Sequence, residues 1–547
     1  MTTPPPFSPT DLKLSSSSSS NNNKDTPYFS TTPSLPWRPV LAQACTFLPA
    51  VFDTVMWNLI LNPNINSSYL FRADILFRDG KCGPEEDQVK GATTRSGNDY
   101  DGDGPGFEGS ATPIGMHADG FERKYTVVRR LIPRNPNLDK HLLQTCHSFH
   151  TANTDDATHL VIYLPHADDA SAIPYYHPPV RALAFLHSTT PWPSPSSSRV
   201  SIHVAPFPGQ QEEELTPRLR RTILHLLETL HKHGHGTAAG YTKRVRHDRL
   251  VSQPRYQDAY TAMKGRHAKR LVESWVEVTD PGKHVFEDLG IAAFLTEIWK
   301  DMYGQGAFPG FVDVGCGNGI LVDVLCREGW AGWGFDARRR KSWETFSEQV
   351  QANLKEMVLV PEPLCPDDVA KQLSSGSVSE EPTSTANNGD RQVKHHNGVF
   401  ANGTFIISNH ADELTGWTPL LAALSASPFI IIPCCSHDLS GARFRAPLKA
   451  NAIANTTAKD GANNKPNKPP SSYASLVSWV TYLATSLGYE VETEMLRIPS
   501  TRNTALFGRR RNTDSALGVE ELLKREGGGE GWLERAMKLT KSKARTH

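Results

Sequence analysis

The 547-residue chain carries no net charge, its 58 Lys and Arg offsetting 58 Asp and Glu. That balance argues against a histone-like or polybasic binder and leaves room for a local basic face. Cysteine is scarce: eight are scattered without a CxxC pair or a regular spacing, so neither a disulfide framework nor a zinc ribbon is expected, and no metal is called for. No apolar run reaches the ~18–20 residues needed to cross a bilayer, and the Pro-, Ser- and Asn-rich N-terminus lacks the charged-then-apolar pattern of an export signal. The expectation is a soluble protein of a reducing compartment, the cytoplasm, with no membrane association and no evident obligate protein partner. Large apolar residues are also sparse in 14–26, 372–400 and 451–472, which are rich in Ser, Asn, Thr, Lys and Gly. Such stretches bury too little surface to offset ordering entropy and read as tails and surface inserts.

What remains divides by rhythm. Residues 1–34 read as a disordered arm and 35–250 as an α+β domain interrupted by a Gly- and Asp-rich loop insert at 80–120. In that domain Pro49–Trp57 suits a buried helix. Short β-branched runs at 125–128, 160–164, 182–186 and 200–204 suit strands, and 216–230 suits a helix with Leu219, Ile223, Leu226 and Leu227 on one face. From 251 to 511, helices at 255–278 and 284–302 precede alternating strands and helices: 310–314, 319–328, 331–335, 341–354, 404–408, 414–425 and 428–433, with last strands near 488–496 and 504–508. That order predicts an α/β fold, a parallel-rich sheet with helices on both faces. Residues 512–547 read as a C-terminal tail.

One stretch carries chemistry. Phe311-Val-Asp-Val-Gly315-Cys-Gly317-Asn-Gly319-Ile-Leu-Val322 runs an apolar strand into a tight Gly-x-Gly-x-Gly turn and then an apolar helix. Alternate glycines let a ligand approach the backbone without Cβ clashes. Asp336 ends the next strand, one βαβ unit later, where a carboxylate can accept hydrogen bonds from ribose hydroxyls. A dinucleotide site would show G-x-G-x-x-G with pyrophosphate at the helix N-terminus. Here an acid, Asp313, sits beside the turn, which would repel pyrophosphate but suits a cationic amino-acid headgroup. The pattern points to S-adenosylmethionine, with Asp313 near the ammonium or sulfonium end and Gly315, Gly317, Asn318, Gly319 and Asp336 completing the cofactor set.

With Gly334-Phe-Asp336-Ala-Arg-Arg-Arg-Lys341-Ser-Trp343 added, this segment resembles the eukaryotic, fungal-type tRNA (uracil-2′-O-)-methyltransferase family, whose members act on uridine 44 of serine tRNA. The likeness continues, in order, through Arg129–Pro136, Tyr176–Phe185, Trp275–Phe294, Asn409-His-Ala-Asp-Glu-Leu-Thr415, Ile432-Pro-Cys-Cys435 and Arg497-Ile-Pro-Ser-Thr-Arg502. It implies a class I Rossmann-like methyltransferase domain behind an N-terminal domain that selects the tRNA, S-adenosylmethionine as methyl donor, and serine tRNA as partner. The departures are the polar inserts and the stretch around His437 and Arg443.

Methylating a ribose hydroxyl requires the oxygen to be aimed at the methyl group and its proton removed, a general base adding roughly 10²–10⁴-fold. Asp412 is the first candidate for that acid or base and His410 the second, both at the carboxyl end of strand 404–408. Asp412 reads equally as the cap of a helix beginning at Leu414. Arg502 is a candidate cation of the site. Cys434 offers a rival chemistry, attack of a thiolate on a pyrimidine ring carbon as in a C5-methyltransferase, although Cys434 and Cys435 close an apolar strand where buried Cys is common packing. The Asn409-His-Ala-Asp turn departs from the Asn-Pro-Pro-Tyr pattern of amino-methylating sites. A further reading keeps the methyltransferase-like domain as a non-catalytic RNA-docking module.

Phosphate contacts need Arg and Lys. Candidates are Arg244 and Arg246 within the basic segment 218–270, Arg338 and Arg339 beside Asp336, and Arg129, Arg130 and Arg134, which serve either tRNA docking or domain packing. Two metal-like patterns are set aside. Asp99-Tyr-Asp-Gly-Asp103-Gly104 begins like a calcium loop but has Ser110 at the twelfth position, and His231, His233 and His235 read as solvated residues of a Gly-flanked loop or as lightly basic contacts for RNA.

Overall fold

Central strands of the first half are buried on both sides of their pleat, and in the computed structural model the strands of this half form one eight-stranded, wholly antiparallel sheet. It comprises β1 (Thr10–Asp11), β2 (Arg38–Cys45), β3 (Leu70–Gly80), β4 (Glu122–Pro133), β5 (Leu142–His150), β6 (His159–Pro165), β7 (Ala182–Thr190) and β8 (Ser197–Ala205), in the spatial order β1-β2-β8-β7-β6-β5-β4-β3. The structure describes residues 5–12, 29–80, 112–135, 138–151, 158–190, 197–209, 215–241, 247–304, 306–364, 394–448, 471–514 and 516–541, and they fall into two units, Met1–Lys243 and Arg244–His547.

Helices α1 (Pro49–Leu61) and α2 (Pro217–Ala238) cover one face of this sheet, with Phe52, Met56, Ile60, Ile223, Leu227 and Leu230 buried against Tyr125, Val127, Val161 and Phe185. Each such side chain contributes about 1.5–3 kcal/mol on leaving water. Phe29, Leu35, Trp37 and Met116 close part of the other face over Leu160, Ile162 and Ala184, which is why β5 is buried at every position but its last. Three expectations change here. The arm 1–34 is ordered at its described ends: β1 pairs with β2, Thr31–Thr32 pairs with His117–Ala118, and Trp37 Nε1 donates to Thr31 Oγ1 at 3.0 Å. The aromatic residues in an otherwise polar stretch give it something to bury. The 80–120 insert is likewise anchored at 112–118, while its calcium-like segment lies outside the described residues. The His231–His235 segment is helix, not loop. The apolar face of α2 runs on into it, His231 is buried, its ring lies 4.4 Å from that of His235, and Gly234 admits the Phe47 ring.

The second unit is built on a seven-stranded sheet: β9 (Phe311–Val314), β10 (Gly332–Asp336), β11 (Leu354–Glu356), β12 (Phe405–Asn409), β13 (Phe429–Ile432), β14 (Tyr489–Met495) and β15 (Thr504–Arg511), ordered β11-β10-β9-β12-β13-β15-β14. The first five are parallel, and β15 inserts antiparallel beside β13. One face buries α3 (Gln253–Met263), α4 (Pro281–Tyr303) and α5 (Ile320–Arg327), the other α6 (Thr418–Leu424) and α7 (Ser472–Ser486). This is the α/β architecture the alternation implied. Its strand order reverses between β9 and β12, and at such a switch point the two connections leave in opposite directions and open a crevice at the strands' carboxyl ends.

Four local readings are corrected. The 255–278 helix ends α-helical geometry at Met263, passes through a π turn at Lys264–Ala268 and stops at Glu273. The 341–354 helix is a 3₁₀ turn, Lys341–Thr345, and one short helix, Glu348–Ala352, before β11. The tail 512–547 contains α8 (Val519–Arg525) and α9 (Trp532–Lys541). Leu522, Leu523, Trp532 and Ala536 join the second core, and Trp532 Nε1 donates to the Leu359 carbonyl at 2.8 Å. The 372–400 insert ends before His395–His396, which pairs with Val358–Leu359. Among the described residues no helix is long and apolar enough to cross a membrane.

Candidate active site

The glycine turn follows β9 directly, and its backbone is held from several sides. Gly315, Gly317 and Gly319 all have positive φ (75°, 52° and 76°), a region that L side chains rarely adopt. The Gly317 amide donates to Asp336 Oδ2 at 3.1 Å, Trp343 Nε1 to the Gly317 carbonyl at 2.9 Å and Ser342 Oγ to the Asn318 carbonyl at 2.8 Å. Asn318 Oδ1 accepts the amide of Ile320, the first residue of α5. A Cβ on Gly315 would sit 3.1 Å from Cβ of Ala411, in the loop after β12, whereas one on Gly317 would meet nothing within 4 Å. The turn after β9 therefore closes on the loop after β12, and open space lies above Gly317.

Acids surround that space. Asp313 is buried, and burial, then Asp288 and Asp336, push its carboxyl well above the ordinary carboxylate range. Its Oδ1 has no hydrogen-bond partner. Asp288 of α4 is pushed up to about 8 by burial and by the neighbouring Glu287, against hydrogen bonds from Asn318 and Asn409 that favour its charged form. The Asn409 amide donates to Asp288 Oδ1 at 3.1 Å, leaving Asn409 Oδ1 buried and unsatisfied. A buried, unpaired carboxyl is costly unless a cation meets it. A sulfonium and an ammonium are such cations, so the residues fit S-adenosylmethionine. Asp336, the expected ribose partner, already accepts the Gly317 and Arg338 amides, one on each oxygen, and each oxygen keeps a second lone pair. Glu287 and Asp288 escaped notice in the sequence, although two adjacent acids at the start of an apolar helical run were a usable signal.

Across from the acids, the loops after β12 and β13 bring the acceptor-side candidates together. His410 and Asp412 both have positive φ, 52° and 41°. His410 shares a hydrogen bond between its Nε2 and Glu287 Oε1 at 2.9 Å, and its Nδ1 is buried without a partner. Asp412 is the first residue of a 3₁₀ turn, Asp412–Leu414, whose N-cap is Ala411, and α6 starts only at Thr418, so the helix expected to begin at Leu414 is not there. Its Oδ1 instead accepts from Cys434 Sγ at 2.9 Å. The Cys434 thiol is pushed well above its ordinary range by its hydrogen bond with Cys435, by burial and by Asp412, which opposes the thiolate that a ring-attacking nucleophile needs. Arg502 is exposed, with Nη1 3.7 Å from Cys435 Sγ.

The RNA candidates part company. Arg129 is buried: Nε and Nη2 donate to Gln144 Oε1 at 2.9 and 2.6 Å, Nη1 to the Leu59 and Ile60 carbonyls, and the guanidinium lies 4.8 Å from the Tyr163 ring centre. It ties α1 to the sheet and cannot reach phosphate. Arg130 is held by Asp74 at 3.0 Å. Arg134 is exposed, with Nε on the Leu70 carbonyl. Arg338 is half-buried beside Asp336, while Arg339 is exposed at the rim, over Trp343. Arg244 and Arg246 lie outside the described residues.

Comparison with known proteins agrees with this geometry. Residues 12–244 match the model of a TRM44-like, N-terminal bet v1-like domain, and residues 250–361 that of a predicted AdoMet-dependent methyltransferase. A tRNA (uracil-O(2)-)-methyltransferase of Neurospora crassa is 48% identical over 517 residues, covering 92% of this chain and 93% of that protein. Proteins of the same name from Aspergillus oryzae and Schizosaccharomyces pombe are each 36% identical, covering 97% and 94% of this chain and 96% and 94% of their own lengths. The chain belongs to the tRNA (uracil-O(2)-)-methyltransferase family.

Proposed function

We propose that this protein methylates the ribose 2′-hydroxyl of a uridine in tRNA, specifically uridine 44 of serine tRNA, with S-adenosylmethionine as donor. The observation that carries the reading is the buried acidic cradle at the switch point, where Asp313, Asp288 and Asp336 face the open glycine turn. Asp313 and Asp288 would hold the cationic end of the donor, Asp336 its ribose, and Trp343 and Ser342 keep the turn in shape. When bound, the donor supplies an electrophilic methyl group. Glu287 holds His410 by a hydrogen bond, and in this reading His410 or Asp412 takes up the hydroxyl proton. Of the arginines singled out in the sequence, Arg502, Arg134 and Arg339 are exposed and open to phosphate. The choice of uridine 44 and of serine tRNA rests on the family resemblance. The six described cysteines are all free thiols, in keeping with work in the cytoplasm.

Purified protein, labelled S-adenosylmethionine and unmodified serine tRNA test the proposal, followed by nuclease digestion and nucleoside analysis. Label in 2′-O-methyluridine at position 44, abolished by Asp336→Ala, is expected. Label in a ring-methylated pyrimidine would revive Cys434, and donor binding without any transfer would favour the docking reading.

A further inference from the structure

Asp412, Cys434 and Cys435 place one carboxylate oxygen and two sulfurs within 4.8 Å of one another, at the carboxyl ends of the adjacent strands β12 and β13. We propose that these three side chains bind a thiophilic divalent cation, Zn²⁺ in the first place, in a three-ligand site with one position open. The separations suit the ion: Zn–S bonds of ~2.3 Å in a tetrahedron put sulfur ligands roughly 3.8 Å apart. The Cys434 thiol and Asp412 Oδ1, now hydrogen-bonded at 2.9 Å, have to open by only part of an ångström.

Charge and backbone point the same way. Two thiolates and a carboxylate carry three negative charges, a divalent cation leaves one, and the Arg502 guanidinium at 3.7 Å from Cys435 Sγ offsets it. Two soft sulfurs with one hard oxygen favour Zn²⁺ over Mg²⁺ or Ca²⁺, which take all-oxygen shells. Asp412 is held at a φ of 41°, and a strained residue of this kind persists where the surrounding structure aims its side chain. Binding releases the two thiol protons to solvent and changes no oxidation state. Structural zinc sites are closed by four protein ligands, whereas catalytic ones keep a place for water or substrate. With three ligands this site is of the second kind. If the proposed function holds, the open position faces the acceptor side, where a cation lowers the proton affinity of a bound hydroxyl and Asp412 serves as a ligand rather than a base.

The test uses the full chain and Zn²⁺ or Co²⁺ alone. One Zn²⁺ per chain by elemental analysis is expected after zinc loading and desalting, and the Co²⁺-exchanged protein should show a sulfur-to-cobalt charge-transfer band. Cys434→Ser and Cys435→Ser should each weaken that band, and the double variant should abolish both band and stoichiometric metal. Arg502→Gln should weaken binding by roughly 10–100-fold, the usual effect of a supporting residue. Circular dichroism and donor binding at the separate glycine turn verify that each variant is folded. No stoichiometric zinc with no charge-transfer band in folded protein overturns the proposal, as does a Cys434–Cys435 disulfide in freshly purified protein. Because neither readout involves methyl transfer, an inactive protein that binds the metal would refute the proposed function and leave the site standing.

Discussion

The buried carboxyl of Asp288 makes the strongest quantitative demand on the structure. Folding raises it to about 8, through burial first and Glu287 second, while Asn318 and Asn409 pull the other way. Asp313, itself raised and buried, and Asp336 are the further acids of the same cradle. The unfolded chain ionises Asp288 near the ordinary value of about 3.9. Between those two values the folded state keeps a proton that the unfolded state has lost, so stability falls as pH rises. The slope is about 1.4 kcal/mol per pH unit for one proton, and the fall levels off above the folded value. Asp288→Asn keeps an acceptor for the Asn409 amide but cannot ionise. Relative to the wild type the variant should gain about 2–4 kcal/mol from roughly pH 5 to 8, less than the full linkage because Asp313 responds and water can enter. Hydrogen exchange of amides in α4 and β9 reads the second unit alone. A cationic donor binds the ionised form, so its affinity for the wild type should climb over the same interval, with proton release visible by calorimetry in buffers of different ionisation enthalpy. Stability curves that run parallel for variant and wild type from pH 5 to 8 would refute the account of a buried, proton-holding acid and with it the cation-seeking character of the cradle.

Three other outcomes follow from single contacts. Gly317→Ala puts a methyl group into open space at a φ of 52°. It should cost only about 1–2 kcal/mol in stability from the left-handed backbone, yet weaken donor binding at least about tenfold, read by calorimetry. Arg129→Ala leaves Gln144 and the Leu59 and Ile60 carbonyls without their donor. A loss of about 3–4 kcal/mol in the first unit is expected on chemical unfolding, while the folded fraction keeps its tRNA affinity; selective loss of tRNA binding without destabilisation would restore Arg129 as an RNA contact. Trp532→Ala empties a buried site and strands the Leu359 carbonyl. It should destabilise the second unit by about 3–5 kcal/mol, measured by protease susceptibility or thermal unfolding.

What could be read in the chain was whatever lies contiguous along it. The strand, glycine turn and helix from Phe311 to Val322 are neighbours in sequence and in space, and Asp336 is fixed one βαβ unit later by the regularity of the fold. Parallel strands also put all their carboxyl ends on one edge, so the loops after β12 and β13 could be named as acceptor-side before any contact was known. Contacts across that edge were not available in the same way. Glu287 and Asp288 lie in an apolar helix some way upstream of the turn, and only the packing of α4 shows that Asp288 joins Asp313, and Glu287 joins His410, instead of a solvated face. Cys434 looks like core packing until Asp412, held in a left-handed conformation, is seen to accept its hydrogen bond. Charge misled for a related reason. Arg129 and Arg134 belong to one basic run, yet alternation along β4 sends the first into the interior, onto Gln144 and two helix carbonyls, and the second lies exposed just beyond the strand end. The tail failed differently, since Leu522, Leu523, Trp532 and Ala536 are apolar points in a polar, Gly-rich stretch whose average conceals them. Composition averages over a window, whereas burial is decided residue by residue by what the rest of the fold leaves uncovered. In this chain the sequence therefore locates the edge on which the site is built, and the partners of each charged or nucleophilic group on that edge decide what the group can do.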